Sequence, residues 1–309
     1  MRRELLACAL TLACAASARA AASTAGITLR RPVSARAAAL AETYAAVAGG
    51  ASSLGANPAG LVGARCPELE SAFTSGILDD AFGFLGYAHP VSAGVLAAAV
   101  AYYDAGKVEL VFPGGAQETR AAQRDIVGQA GWAKDLGAGF SAGVLGKFYR
   151  FELAQEARAS GFAADGGLQW AVPLRGLRLG ASVSNLGPGV KYESESNPLP
   201  LTARFGAAWT LASRPPDPAQ NDTGTRLTLL ADGVKVRDEK AYGSVGGEFG
   251  IEVGSSMELA LRAGWAFNHG SDGAAFGLGV REGRFTLDYA LAAKRELGNV
   301  HHVSLGVRF

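Results

Sequence analysis

The sequence predicts an all-β protein, a transmembrane antiparallel β-barrel of about fourteen strands with a short N-terminal helical plug. Three observations carry that prediction. From Glu68 onward, apolar and polar residues alternate with a period of two. The alternating segments run for roughly 10 residues, the length a tilted strand needs to cross a bilayer. The chain ends on an alternating stretch closed by an aromatic, Val303-Ser304-Leu305-Gly306-Val307-Arg308-Phe309.

The first residues read as a targeting signal. Met1-Arg2-Arg3 is basic, Leu5 to Ala16 is apolar but too short to span a bilayer, and Ala18-Arg19-Ala20 is a small-x-small cleavage site. Residues 1–20 are therefore expected to be a signal peptide, followed by an N-terminal segment (21–66) and a barrel (67–309). Cys8 and Cys14 fall inside the signal, and Thr11 occupies the place where a lipoprotein would carry Leu, three residues ahead of Cys14. Cys66 is left as the one cysteine of the exported chain, which excludes an intrachain disulfide.

In the N-terminal segment, Ser34 can cap a helix. The Ala-rich run to Ala48 carries Leu40, Tyr44 and Val47 at helical spacing. Gly49-Gly50 and the turn Asn57-Pro58-Ala59-Gly60-Leu61 follow. The segment is too small for a domain and too apolar for a free tail. It is expected to lie inside the barrel, its small residues letting the backbone approach the wall.

The strand segments fall near 68–77, 81–89, 92–103, 122–134, 138–151, 159–172, 176–186, 201–212, 225–237, 241–252, 256–267, 273–282, 284–294 and 300–309. In 177–184 one face is Leu, Leu, Ala, Val and the other Arg, Gly, Ser, Ser. In 257–267 Met, Leu, Leu, Ala, Trp and Phe share a face opposite Glu, Ala, Arg, Gly and Ala. A soluble sandwich would turn the apolar faces inward, whereas a transmembrane barrel turns them to lipid. Connections after even-numbered segments are mostly tight (His89-Pro90, Gly254-Ser255, Gly283). Two of those after odd-numbered segments, 104–121 and 187–200, are long, as barrels with short periplasmic turns require. Closure also pairs every backbone group within the protein, as hydrocarbon demands.

The polar faces carry Arg178, Arg204, Glu248, Glu252, Glu258, Arg262, Arg281, Asp288 and Arg308. Their signs nearly balance, which favours mutual pairing in the lumen over an ion-selective pore. Phe309 with its strand is expected to be the signal read by the barrel assembly machinery, and outer-membrane lipid is the expected surroundings. The net charge of +1 gives no electrostatic case for nucleic acid.

Catalytic and metal-binding patterns are scarce. H-E-x-x-H, C-x-x-C and the P-loop pattern do not occur, so no metal and no cofactor is expected. Asn268-His269-Gly270-Ser271-Asp272 holds Ser, His and Asp, but five neighbours in one turn rarely form a triad. An outer-membrane hydrolase built on Ser271 and His269 is the remote reading. His301 and His302, adjacent on a strand, point to opposite faces and cannot easily share a metal.

Asn57-Pro58-Ala59-Gly60-Leu61 after an Ala/Gly-rich helical segment resembles the FadL-type outer-membrane barrels. The stretches 101–110 and 161–209 and the barrel end resemble the PorV/PorQ relatives within that superfamily. The strongest match is 161–209, with its Gly-Leu-Arg-Leu-Gly strand, the Asn185-Leu186-Gly187 corner and Leu199-Pro200-Leu201 leading into the next strand. The resemblance implies fourteen strands around an N-terminal plug containing residues 57–61, and it implies two activities. One is a passive channel or binding protein for hydrophobic small molecules. The other is a component or cargo shuttle of a protein secretion system, with secretion proteins as partners.

Overall fold

Strict alternation places successive side chains on opposite faces of a strand, and here both faces find a use. The computed structural model describes residues 25–76, 80–111, 117–192, 195–214, 223–253, 256–268, 273–294 and 298–309. The expected signal peptide (1–20) and residues 269–272 of the Asn268–Asp272 cluster lie outside the described residues.

Fourteen strands close one antiparallel barrel. In chain order they are β1 (Glu68–Ser75), β2 (Ala81–Val91), β3 (Gly94–Asp104), β6 (Gln123–Gly137), β7 (Phe140–Leu153), β8 (Ala157–Ala171), β9 (Leu177–Leu186), β12 (Thr202–Arg214), β13 (Gly224–Val236), β14 (Tyr242–Val253), β15 (Met257–Phe267), β16 (Gly273–Glu282), β17 (Phe285–Lys294) and β18 (Gly298–Arg308). All fourteen expected segments are present, and β1 pairs with β18 from Glu68↔Arg308 to Ser75↔His301 to close the ring. The two long connections are not irregular. They hold the hairpins β4 (Lys107–Val111) with β5 (Gln117–Ala121), and β10 (Val190–Tyr192) with β11 (Glu195–Asn197). These hairpins mark one end of the barrel, the hairpin end. The start of β1, Phe309 and the turns at 92–93, 138–139 and 283–284 mark the other, the terminal end.

The outward face is apolar around the ring. Leu85, Leu96, Val144, Phe162, Leu168, Phe205, Leu261, Phe276, Leu287 and Leu305 are all exposed. A soluble protein would not leave so large a continuous apolar surface in water, whereas lipid covers it without cost. Aromatic side chains rim the belt. At the terminal end the indole of Trp132 donates to the Ala93 carbonyl at 3.2 Å and that of Trp209 to the Arg175 carbonyl at 3.3 Å. At the hairpin end Tyr289 and His301 share a hydrogen bond of 2.8 Å on the outer face. His302 points inward to Thr74 at 2.8 Å, so the two histidines lie on opposite sides of the wall.

The N-terminal segment runs through the lumen from the hairpin end. Its helix is shorter than the spacing of Leu40, Tyr44 and Val47 predicts. The one α-helix among the described residues, α1 (Ala35–Ala39), starts at Ser34, whose side chain accepts from the Ala37 N–H, and stops before Ala41 and Glu42, which turn left-handed at φ 50° and 60°. The wall explains the break. The N–H groups of Tyr44 and Ala45 donate to Asp232 of β13 at 2.9 and 3.0 Å, so helix continuation would deprive that buried carboxylate of its two backbone donors. Short 3-10 turns at Gly50–Gly55 and Pro58–Gly63 complete the plug.

Candidate functional site

Small residues on the inner wall set the site by admitting the plug backbone. A Cβ at Gly143 of β7 would collide with the backbone of Pro58, and one at Gly264 of β15 with the Leu40–Ala41 peptide. Leu40, Leu54 and Leu61 are fully buried in the spaces that remain.

Asn57, Pro58, Ala59, Gly60 and Leu61 are all buried at the centre of the plug. The Asn57 side chain accepts from the Ala59 N–H at 3.1 Å and donates to the Ala45 carbonyl at 2.7 Å and the Leu168 carbonyl of β8 at 3.1 Å. It therefore caps its own turn, ties it to the preceding plug segment and fixes both to the wall. These residues build the plug.

The predicted charges project into the lumen and are joined by partners on neighbouring elements. Glu248 lies between Arg262, at 2.7 Å, and Arg36 of α1, whose guanidinium meets both carboxylate oxygens at 2.8 and 2.9 Å. Arg262 also reaches Asp288 at 2.5 Å. Arg226 pairs with Glu258 and lies 3.8 Å from Glu252, while Arg281 meets Glu258 at 2.7 Å. Arg308 lies 3.8 Å from Glu68. Across the lumen Arg204 pairs with Asp232 at 3.4 Å and donates to the Glu42 carbonyl at 2.6 Å. Arg178 meets no carboxylate in this set; its guanidinium donates to Gln169 Oε1 at 3.4 Å. Burial would lower the Arg36 pKa, but Glu248 more than offsets it, so the guanidinium is held charged with a pKa well above its ordinary value.

Sequence reading singled out neither Arg36, Glu68, Gln169, Arg226 nor Asp232. Assigning inward parity to every strand would have found the four wall residues, because all lie on the lumen face of their strands. Arg36 carried no such signal, since it sits on the plug. A buried Lys147–Asp165 ion pair at 2.7 Å was also missed. It fills the β8–β9 register shift beside Asn185, which adopts a left-handed φ of 63° within β9.

The plug divides the lumen. Toward the hairpin end lies a cavity of about 780 Å³ lined in part by Ile27, Leu29, Ala38, Ala41, Tyr103 and Val236. Toward the terminal end lies one of about 800 Å³ whose lining includes Leu40, Val47 and Leu230. Ala38 and Ala41 face the first cavity and Leu40 the second, so a single turn of chain forms the partition.

Fold and lumen together define a class: a fourteen-stranded antiparallel transmembrane barrel whose lumen holds the N-terminal segment. Solved structures share it. The chain is similar to the CymD monoaromatic hydrocarbon channel, with TM-score 0.59 and 11% identity over 90% of this chain and 97% of that one. It is similar to the Ralstonia pickettii toluene transporter TbuX, with TM-score 0.59 and 10% identity over 92% and 100%. It is also similar to the P. putida toluene transporter TodX, with TM-score 0.59 and 11% identity over 89% and 98%. At these identities the likeness is one of fold. No family model matches the chain, and no curated protein matches it by sequence.

Proposed function

We propose that this chain is an outer-membrane channel for uncharged hydrophobic small molecules, exported by its signal peptide and gated by its N-terminal plug. The hairpin end faces the outside, in keeping with short turns on the periplasmic side. The observation that carries the reading is the charge state of the hairpin-end cavity. Its charged lining is Arg30, Arg31, Glu42, Asp80, Arg204 and Glu239. Arg30 pairs with Glu239, Arg31 with Asp80 at 2.7 Å, and Arg204 with Asp232 and, at 4.0 Å, with Glu42. An anionic solute entering there would have to break an existing pair, whereas an uncharged one needs only the apolar lining. The volume suits a small-molecule site. The similar structures are described as a hydrocarbon channel and toluene transporters, which supports the same solute class. The test is solute entry into liposomes carrying the full chain. Toluene should enter faster than into protein-free liposomes and octanoate should not. Equal toluene rates with and without the protein overturn the reading.

A second reading follows from the PorV/PorQ resemblance: a barrel that docks secreted cargo or secretion proteins. The β4–β5 hairpin favours it, since it continues the β3–β6 pair beyond the barrel and exposes Val108. Co-purification of a large partner that is lost when residues 107–121 are removed would support it. Unaltered co-purification would reject it.

A further inference from the structure

The two cavities differ in charge. The charged lining of the terminal-end cavity is Arg36, Arg175, Arg178, Arg226 and Glu248. Arg36, Arg226 and Glu248 belong to the paired network. Among the described residues, no carboxylate lies within ion-pair distance of Arg175 or Arg178. Arg65, just before β1, adds to the positive potential at Arg178, and Asp135 of β6 opposes it.

Arg178 is also linked to the plug. Its contact is the 3.4 Å hydrogen bond to Gln169 Oε1. Gln169 is 2% exposed, and its Nε2 donates to the plug carbonyls of Ala45 at 3.0 Å and Val47 at 2.9 Å. With Oε1 held toward Arg178, the amide keeps both of its N–H groups on the plug. A guanidinium prefers an oxyanion, which it can grip with two parallel charge-assisted bonds, to a single long bond from a neutral amide oxygen.

We propose that the terminal-end cavity is an anion site in which Arg178, supported by Arg175, takes a carboxylate or phosphate group, and that its occupation draws Arg178 off Gln169 and loosens the plug at Ala45–Val47. Gln169 then loses the partner that fixes its amide, and the two plug carbonyls lose a fixed donor. The site lies on the opposite side of the plug from the proposed solute cavity, so its occupant acts on the gate from the periplasmic side.

The experiment uses the full chain in detergent, with inorganic phosphate and succinate as probes against chloride at matched ionic strength. Binding is read by calorimetry and plug mobility by hydrogen exchange of residues 44–49. Saturable binding is expected, weakened about tenfold in Arg178→Gln and largely kept in Arg178→Lys. Exchange at 44–49 should quicken on binding, with residues 57–61 unchanged. Tighter phosphate binding identifies a phosphoryl ligand and tighter succinate binding a carboxylate. Equal binding by wild type and Arg178→Gln overturns the site. If Arg178→Gln does not fold, the wild-type measurement still decides: no probe-dependent change at 44–49 overturns the latch. Toluene entry is a separate measurement, so this proposal and the channel reading fail independently.

Discussion

Leu305→Arg tests which way the last strand faces. Leu305 is exposed on the outer face of β18 and pairs with Leu287 of β17, itself exposed. The outer face runs His301, Val303, Leu305, Val307, Phe309, with His301 bonded to Tyr289 at one rim. At ~3.3 Å per residue and a tilt near 40°, Leu305 lies about 10 Å in depth from either His301 or Phe309. It is thus at the middle of the apolar belt on this strand, where an arginine costs roughly 2–4 kcal/mol. Arg308→Leu is the comparison. That side chain is on the lumen face at the strand end, half exposed, and 3.8 Å from Glu68, so its loss should cost no more than about 1 kcal/mol. Refolding both variants into liposomes, with denaturant titration followed by heat-modifiability on a gel, measures the difference. If the two variants insert and unfold alike, the facing of β18 is wrong, and with it the lipid-facing assignment of the belt.

Glu248→Ala removes the shared acceptor of Arg36 and Arg262, and leaving two guanidiniums short of a buried partner should cost about 3–5 kcal/mol in the same titration. Gly264→Val should expel the Leu40–Ala41 turn from the wall, because even a Cβ there meets its backbone; protease cleavage near Leu40 should appear while the barrel remains heat-modifiable. Asn57→Ala loses the cap on Ala59 and the donors to Ala45 and Leu168, an expected cost of about 1–3 kcal/mol, read as a lower denaturant midpoint.

The barrel was legible because lipid imposes one rule on every strand: outward residues must be apolar. In β9 and β15 that rule alone separates Leu179 from Arg178 and Leu261 from Arg262. The plug obeys no such period. Its backbone follows the wall, so the end of α1 is set by Asp232, some 190 residues further along the chain, and the turn at Leu40–Ala41 by the absence of a side chain at Gly264. Neither constraint is local, and neither leaves a pattern near residues 35–48. The partners of the lumen charges were hidden for a related reason. Sequence parity gives the face of Glu248, but only closure brings α1 against it.

The plug's own packing is uneven, and this bears on which part of it can move. Leu54 and Leu61 belong to the large apolar cluster with Phe82, Phe84, Leu145, Tyr149 and Phe151. Leu40, Tyr44 and Val47 belong to a separate, smaller cluster that, among the described residues, takes Ala208 and Leu230 from the wall. Polar ties to the wall serve both halves: Ser182 donates to the Ala56 carbonyl at 2.8 Å, and Ser304 accepts from the Ala35 N–H at 2.6 Å. Water entering the lumen can replace such bonds at a net cost of about 0.5–1.5 kcal/mol each. It cannot replace buried leucine contacts, each worth roughly 1.5–3 kcal/mol. The half of the plug with fewer apolar contacts is therefore the half that opens first. Residues 37–47 should exchange their amide hydrogens faster than 54–61, although most residues of both segments are buried. Because Ala38, Leu40 and Ala41 form the partition between the two cavities, local opening of 37–47 would join them while residues 54–61 still anchor the plug. Equal protection of the two halves would mean that the plug leaves as one body, and a gate that swings on the Leu54–Leu61 anchor would have to be abandoned.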